Sequence, residues 1–181
     1  MLLDDLKIKN CGNVYAPRED SYLLAKCVEE HAFGKVLDLG TGTGIQGIIA
    51  GRKGCQVTFA DIDADAIGCA EANASLNGVD GNFVRSDLFQ ELEDKFNTII
   101  FNPPSLPSKE KRHIDLDGGK KGRELIDRFL KDYKAHLLER HLVLLLESSF
   151  NNYNKDVKKL NAKIIAKEHY FFENLVVLRF E

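Results

Sequence analysis

No apolar run in these 181 residues is long enough to cross a bilayer; Leu142 to Leu146 is typical of the longest. A spanning helix needs about 20 apolar residues. No charged–apolar–small leader opens the chain, so no signal peptide is expected. Neither sign of charge prevails: 25 Lys and Arg against 28 Asp and Glu leave a net charge of -3. That excludes a global pull toward nucleic acid or an anionic membrane. The four cysteines, Cys11, Cys27, Cys55 and Cys69, are widely spread and form no C-x-x-C. They are expected to be reduced residues of a cytoplasmic protein. His31, His113, His136, His141 and His169 show no ligand spacing, so no metal site is expected. Repeats, low-complexity tracts and linkers are absent.

What is present describes a globular protein, 44% hydrophobic and 29% charged. One domain over residues 1–181 is expected, with 1–13 as a loose leading segment. Strand patterns alternate with helical ones, which argues for a parallel α/β sheet. Helices are expected at Pro17–Glu30, Ile45–Arg52, from Asp63 as N-cap to a stop at Asn77-Gly78, at Gly122–Glu139, and at Asn151–Leu160. Strands are expected at Lys35–Leu39, Gln56–Ala60, Asn82–Arg85, Thr98–Phe101 and Leu142–Glu147. Ala162–Phe172 and Leu175–Phe180, parted by Glu173-Asn174, read as a closing antiparallel hairpin. Phe171, Phe172 and Phe180 are expected in its core.

The segment VLDLGTGTGIQG joins a strand to a helix. Gly40, Gly42 and Gly44 allow a tight turn and a close ligand approach, and the helix aims its first N–H groups at that ligand. Asp61 follows roughly 20 residues on, where a carboxylate can accept from ribose hydroxyls. An adenosine-type cofactor is implied. GTGIQG fits the dinucleotide pattern G-x-G-x-x-G, but Asp38 would oppose a pyrophosphate. It would suit a cofactor carrying ammonium and sulfonium, so S-adenosylmethionine is favoured over NAD. Ser86-Asp87-Leu88 is expected beside the adenine, with Asp87 accepting from its amino group; an Asx turn is the plain alternative.

TIIFNPPSLP, residues 98–107, carries the other half of the chemistry. Neither proline offers an N–H, and each biases its predecessor toward extended backbone. Asn102 and the carbonyls beside it form a rigid acceptor cluster at a strand end, able to grip a planar NH2 group. The stretch from Pro103 to about Lys121 is expected to be a long loop. Its Lys109, Lys111, Arg112, Lys120, Lys121 and the following Arg123 make either a solvated charged loop or a docking surface.

Together VYAPREDSYLLA, VLDLGTGTGIQG, ADID, SDLF, FNPP and GGKKGRELIDRFL resemble the HemK family, in its shorter archaeal and eukaryotic release-factor branch. These are class I S-adenosylmethionine-dependent glutamine methyltransferases. The resemblance implies a Rossmann-like, seven-stranded, mostly parallel sheet with a C-terminal antiparallel hairpin and helices on both faces. It implies Asn102 and Pro103 as the catalytic pair. It implies a cofactor set of Ser21, Asp38, Gly40, Thr41, Gly42, Gly44, Asp61, Ile62, Asp87, Leu88 and Asn102. The implied substrate is the Gly-Gly-Gln loop of a translation release factor, and the implied partner a small zinc-binding activator adding a strand beside the third strand. One departure stands: Ser105 occupies the position of the family's aromatic. Two other functions stay open at this point. One is methylation of an exocyclic amino group of adenine or guanine; the other is an inactive cofactor-binding partner subunit.

Overall fold

The computed structural model describes residues 2–104, 123–170 and 172–181. Seven strands form one sheet in the order β3-β2-β1-β4-β5-β7-β6. They are β1 (Lys35–Leu39), β2 (Gln56–Asp61), β3 (Gly81–Arg85), β4 (Phe96–Phe101), β5 (Leu137–Ser148), β6 (Lys163–Tyr170) and β7 (Glu173–Phe180). The first five run parallel, and β7 inserts antiparallel between β5 and β6. The chain leaves β1 outward through β2 to β3, then returns to lay β4 on the other side of β1. That reversal opens a crevice at the carboxyl ends of β1 and β4, where open α/β sheets bind ligands.

Alternation along the strands sends residues to two cores. Val36, Val57, Phe59 and Ile100 pack under α1 (Glu19–His31), α2 (Ile45–Arg52) and α3 (Ala64–Leu76). Leu37, Leu39, Ile99 and Phe101 pack under α4 (Glu124–Asp132) and α5 (Tyr153–Leu160). Gly47 shows how tight the first layer is: an added Cβ would lie 2.2 Å from the Phe59 ring. The last glycine of GTGIQG therefore serves the packing of α2 on β2, a demand any cofactor would leave in place.

Several expectations need correction. The expected helix Gly122–Glu139 ends at Asp132, passes through a 3-10 turn at Tyr133–His136, and becomes strand at Leu137. Leu137 is drawn into the sheet by Phe96, and a bulge before the Thr98–Leu142 pair absorbs the extra residues. Asn97 Nδ2 holds that bulge by donating to the Arg140 carbonyl at 2.8 Å. In the hairpin, Glu173 and Asn174 are already strand, facing Tyr170 and His169. Phe172 is 86% exposed rather than core; Phe171 lies outside the described residues.

The leading segment is anchored, not loose. Asn77 and Asn73 of the α3 end bind the backbone of Lys7 and Lys9 through both amide ends. Leu2, Leu3, Leu6 and Ile8 pack on the core. The cysteines are not all reduced: Cys11 and Cys69 form a disulfide that ties this segment to α3, while Cys27 and Cys55 are free. No helix among the described residues is long and apolar enough to cross a membrane, and no group of potential metal ligands occurs among them.

Candidate active site

A cavity of about 510 Å3 fills the crevice, within the usual range for a small-molecule site. Each parallel strand from β1 to β4 delivers its residue at the carboxyl end. Leu39 and the loop Gly40–Thr43 come from β1, Asp61 and Ile62 from β2, Ser86 to Leu88 from β3, and Phe101, Asn102 and Pro104 from β4.

The glycine loop needs left-handed backbone at Gly40 (φ 64), Gly42 (φ 52) and Gly44 (φ 86), a region costly to residues with a Cβ. It is fixed at both ends. Asp61 Oδ2 accepts from the Gly42 N–H at 3.0 Å and Oδ1 from the Asp63 N–H at 3.0 Å. Asp38 Oδ2 accepts from the Thr41 hydroxyl at 2.6 Å and the Gly47 N–H at 2.8 Å.

Asp38 is therefore not on the cavity wall, contrary to expectation. Its carboxyl is buried behind the loop, bonded to the first turn of α2, whose N–H groups are what a phosphate would need. It still argues against a pyrophosphate, by already holding a first-turn N–H of α2 rather than by repelling across the cavity. Gly44 likewise lies behind the wall, as the N-cap of α2. Pro103 is buried and off the wall, with Pro104 on it.

Burial pushes the Asp38 carboxyl from 3.8 up to about 7, against the pull of the Thr41 and Gly47 hydrogen bonds. Between those values the folded chain keeps a proton that the unfolded chain has released. Stability is therefore expected to fall as pH rises through that window. Asp38→Asn should flatten this part of the profile in urea denaturation run at a series of pH values. An unchanged slope would remove the assignment.

The remaining expected residues meet on the wall: Ser21, Gly40, Thr41, Gly42, Asp61, Ile62, Asp87, Leu88 and Asn102. Leu88 sits at φ 52 and is held there by the Ser86 hydroxyl, which donates to its carbonyl at 2.8 Å. A bulky residue in that region stores strain, which tends to collect at functional sites. Ile62 is 49% exposed at the rim, an apolar face free to cover a flat ring.

Sequence reasoning missed Tyr15, Gln46, Glu124, Leu125 and Arg128 on the same wall. Arg128 pairs on the wall with Asp87 at 2.8 Å. Gln46 Nε2 donates to the Ser21 carbonyl at 2.9 Å, and its buried Oε1 has no hydrogen-bond partner among the described residues. Ser105, Leu106 and the basic residues 109–121 lie outside the described residues.

The donor set decides which cofactor fits. Among the described residues the wall carries four carboxylates, Asp61, Asp63, Asp87 and Glu124, against one guanidinium, Arg128, already paired with Asp87. Together with the buried acceptor on Gln46, that is a poor cradle for phosphates and a good one for an adenosine bearing ammonium and sulfonium charges.

Comparison with known proteins agrees. The family model described as the methyltransferase small domain matches residues 5–169. A Methanocaldococcus jannaschii protein named "Putative protein N5-glutamine methyltransferase" is 37% identical, over 97% of this chain and 95% of its own. A Hamiltonella defensa protein named ribosomal RNA small subunit methyltransferase C is 29% identical over 83% of this chain, which spans 44% of that relative. Among solved structures, Mtq2 in the E. cuniculi Mtq2–Trm112 complex superposes with a TM-score of 0.77. It is 26% identical and covers 94% of this chain and 99% of its own. That complex is described as responsible for methylation of the eRF1 translation termination factor. The T. thermophilus 16S rRNA N2 G1207 methyltransferase, solved with AdoMet and guanosine, shares the fold at a TM-score of 0.68 and 20% identity. It covers 92% of this chain and 44% of its own. The chain thus belongs to the methyltransferase small domain family and is an S-adenosylmethionine-dependent methyltransferase.

Proposed function

We propose that this enzyme methylates the side-chain amide nitrogen of a protein glutamine, in the Gly-Gly-Gln loop of a translation release factor. One observation carries the reading: Asn102 follows the last residue of β4 on the wall of the same cavity that Asp61 and Asp87 line. The 37% identity to a relative named for glutamine N5 methylation, over nearly the whole of both chains, supports it. So does the likeness to Mtq2.

In this reading Asp61 holds the ribose and Asp87 the adenine amino group. Ser21 and the loop residues Gly40, Thr41 and Gly42 surround the methionine part, and Ile62 and Leu88 cover the adenine ring. S-adenosylmethionine supplies an electrophilic methyl group. An amide nitrogen is a weak nucleophile because its lone pair is delocalised. The Asn102 Oδ1 accepts one of its N–H bonds, and we take the Pro103 carbonyl, in the backbone between the wall residues Asn102 and Pro104, as the acceptor of the other, so no donor competes for the lone pair. The same acceptors then stabilise the positive charge that grows on nitrogen. Holding the amide in line contributes in the way orientation does, by converting a bimolecular encounter into an internal one. The proton leaves to solvent after transfer.

A small activator subunit is the partner we propose, adding along β3. That strand is an edge of the sheet, and Phe83 on it is half-buried, stacked on Phe59 at 4.7 Å between ring centroids. The E. cuniculi relative was solved with a second subunit.

Methylation of a base amino group is the second reading, favoured by the relatives named for ribosomal RNA. A planar exocyclic NH2 offers Asn102 the same pair of donors. Isotope-labelled S-adenosylmethionine with release factor, RNA and DNA in parallel separates the readings. We expect label in the release factor alone, lost when the glutamine of Gly-Gly-Gln is replaced. Label in RNA or DNA alone would overturn the glutamine assignment. No label in any polymer, with or without the activator, would point to the inactive partner subunit.

A further inference from the structure

We infer that Asp20 is a positioning residue that fixes which end of the Asn102 amide meets the substrate. The inference rests on the reading of Asn102 as the acceptor for a substrate NH2 group.

A terminal amide is two-ended. One end accepts and the other donates, and rotation by 180° about the last side-chain bond exchanges them with almost no change of shape. A site that must accept N–H bonds works in only one of these settings. Asp20, in the first turn of α1, settles the choice. Its Oδ2 accepts from Asn102 Nδ2 at 2.9 Å. An ionised carboxylate has nothing to donate, so the flipped amide would set oxygen against oxygen. The NH2 end is thus turned to Asp20, and Oδ1 is the end left for a substrate.

Asp20 is itself held. Its other oxygen, Oδ1, accepts from the Tyr15 hydroxyl at 3.1 Å and the Ser21 hydroxyl at 3.3 Å. Burial and the Asp20 charge push the Tyr15 phenol well above its ordinary range, so it stays a donor. The contact joins residues 82 positions apart, which ties PREDS directly to FNPP. The hydroxyl of Ser21, expected at the methionine end of the cofactor, is therefore also part of the Asp20 clamp.

The contact has an electronic consequence. A hydrogen bond to an ionised group is stronger than a neutral one, and it polarises the amide toward Oδ1. Asp20 thereby makes Asn102 a better acceptor without touching the substrate.

Asp20→Asn tests this with little change of shape. An asparagine at position 20 tolerates either setting of Asn102. With Gly-Gly-Gln release factor as acceptor, we expect kcat to fall about 10- to 100-fold, the range of losing one charge-assisted bond. S-adenosylmethionine affinity by calorimetry should stay within about threefold of wild type. In the free enzyme, the side-chain NH2 resonances of Asn102 should move in Asp20→Asn. That arm needs no acceptor and so decides the geometry whatever the substrate proves to be.

Turnover within about twofold of wild type, unmoved NH2 resonances, or a loss of cofactor affinity matching the loss of turnover would each overturn the proposal. The two readings fail separately. Near-normal turnover in Asn102→Ala removes the catalytic asparagine itself. An inactive Asn102→Ala beside a fully active Asp20→Asn removes only the role of Asp20.

Discussion

Asn102→Ala is expected to lower turnover by at least 100-fold while S-adenosylmethionine affinity stays within about threefold of wild type. The side chain follows β4 at the cavity wall, next to two prolines that give the backbone no N–H groups with which to replace it. Removing the amide oxygen leaves one substrate N–H without an acceptor and lets the flat group turn. Losing one preorganised hydrogen-bonding group at a reacting centre costs about 10²–10³ in rate. Misorientation adds to that loss. In the proposed reading the cofactor keeps its acceptors on Asp61 and Asp87, so binding survives. Asp61→Ala should behave in the opposite way. It removes the acceptor that also holds the Gly42 N–H, so affinity falls, and turnover recovers when the cofactor saturates. Single-turnover kinetics beside calorimetry reads both variants. Asn102→Ala with near-normal turnover would sink the assignment.

The contrast between these variants follows from where each residue sits, and that placement was largely legible in the chain. β1 and α2 lie at the boundaries read from the sequence, because a buried apolar run meets a glycine turn that only left-handed backbone satisfies. Asp61, Asp87 and Asn102 stand where parallel strands end, so knowing the strands is enough to bring them to one rim. Gln46 and Arg128 reach the same wall from helices, and Asp20 reaches Asn102 from α1, by packing between elements far apart in sequence, and no local pattern marks them. The Gly122–Glu139 reading failed for a related reason. Leu125, Phe129, Tyr133 and Leu137 keep helical spacing, but Leu137 gains more by pairing with Phe96 than by another helical turn. The Cys11–Cys69 bridge closes over 58 positions, a separation at which spacing carries no information about pairing.

Arg123→Ala is expected to be the most destabilising single change, by about 3–5 kcal/mol, the range for stripping one partner from a buried ion cluster. For a chain of this size that corresponds to a drop of roughly 10 °C in Tm. The Arg123 side chain is only 11% exposed, and the two acids beside it, Glu147 and Asp156, are fully buried. Its guanidinium reaches Asp156 at 2.8 Å, Asp127 at 2.9 Å and the Asn151 carbonyl. It therefore joins β5, α5 and the start of α4. Without it two acids face each other in the core with no cation between them. Burial and the Asp156 charge hold the Glu147 carboxyl well above its ordinary 4.5. It keeps its proton in the folded chain at pH values where the unfolded chain has lost it. The cluster therefore favours folding less as pH rises above that value. Glu147→Gln should melt near wild type at acid pH and above it at alkaline pH; equal shifts at both ends would contradict the protonated carboxyl. Arg123 immediately precedes Glu124, Leu125 and Arg128, which α4 brings to the cavity. Its loss should therefore weaken the Arg128–Asp87 contact as well as the fold, so cofactor affinity falls along with Tm. Asp156→Leu removes one of the two acids, so pairing it with Arg123→Ala should restore part of the stability. Independent contributions would instead simply add.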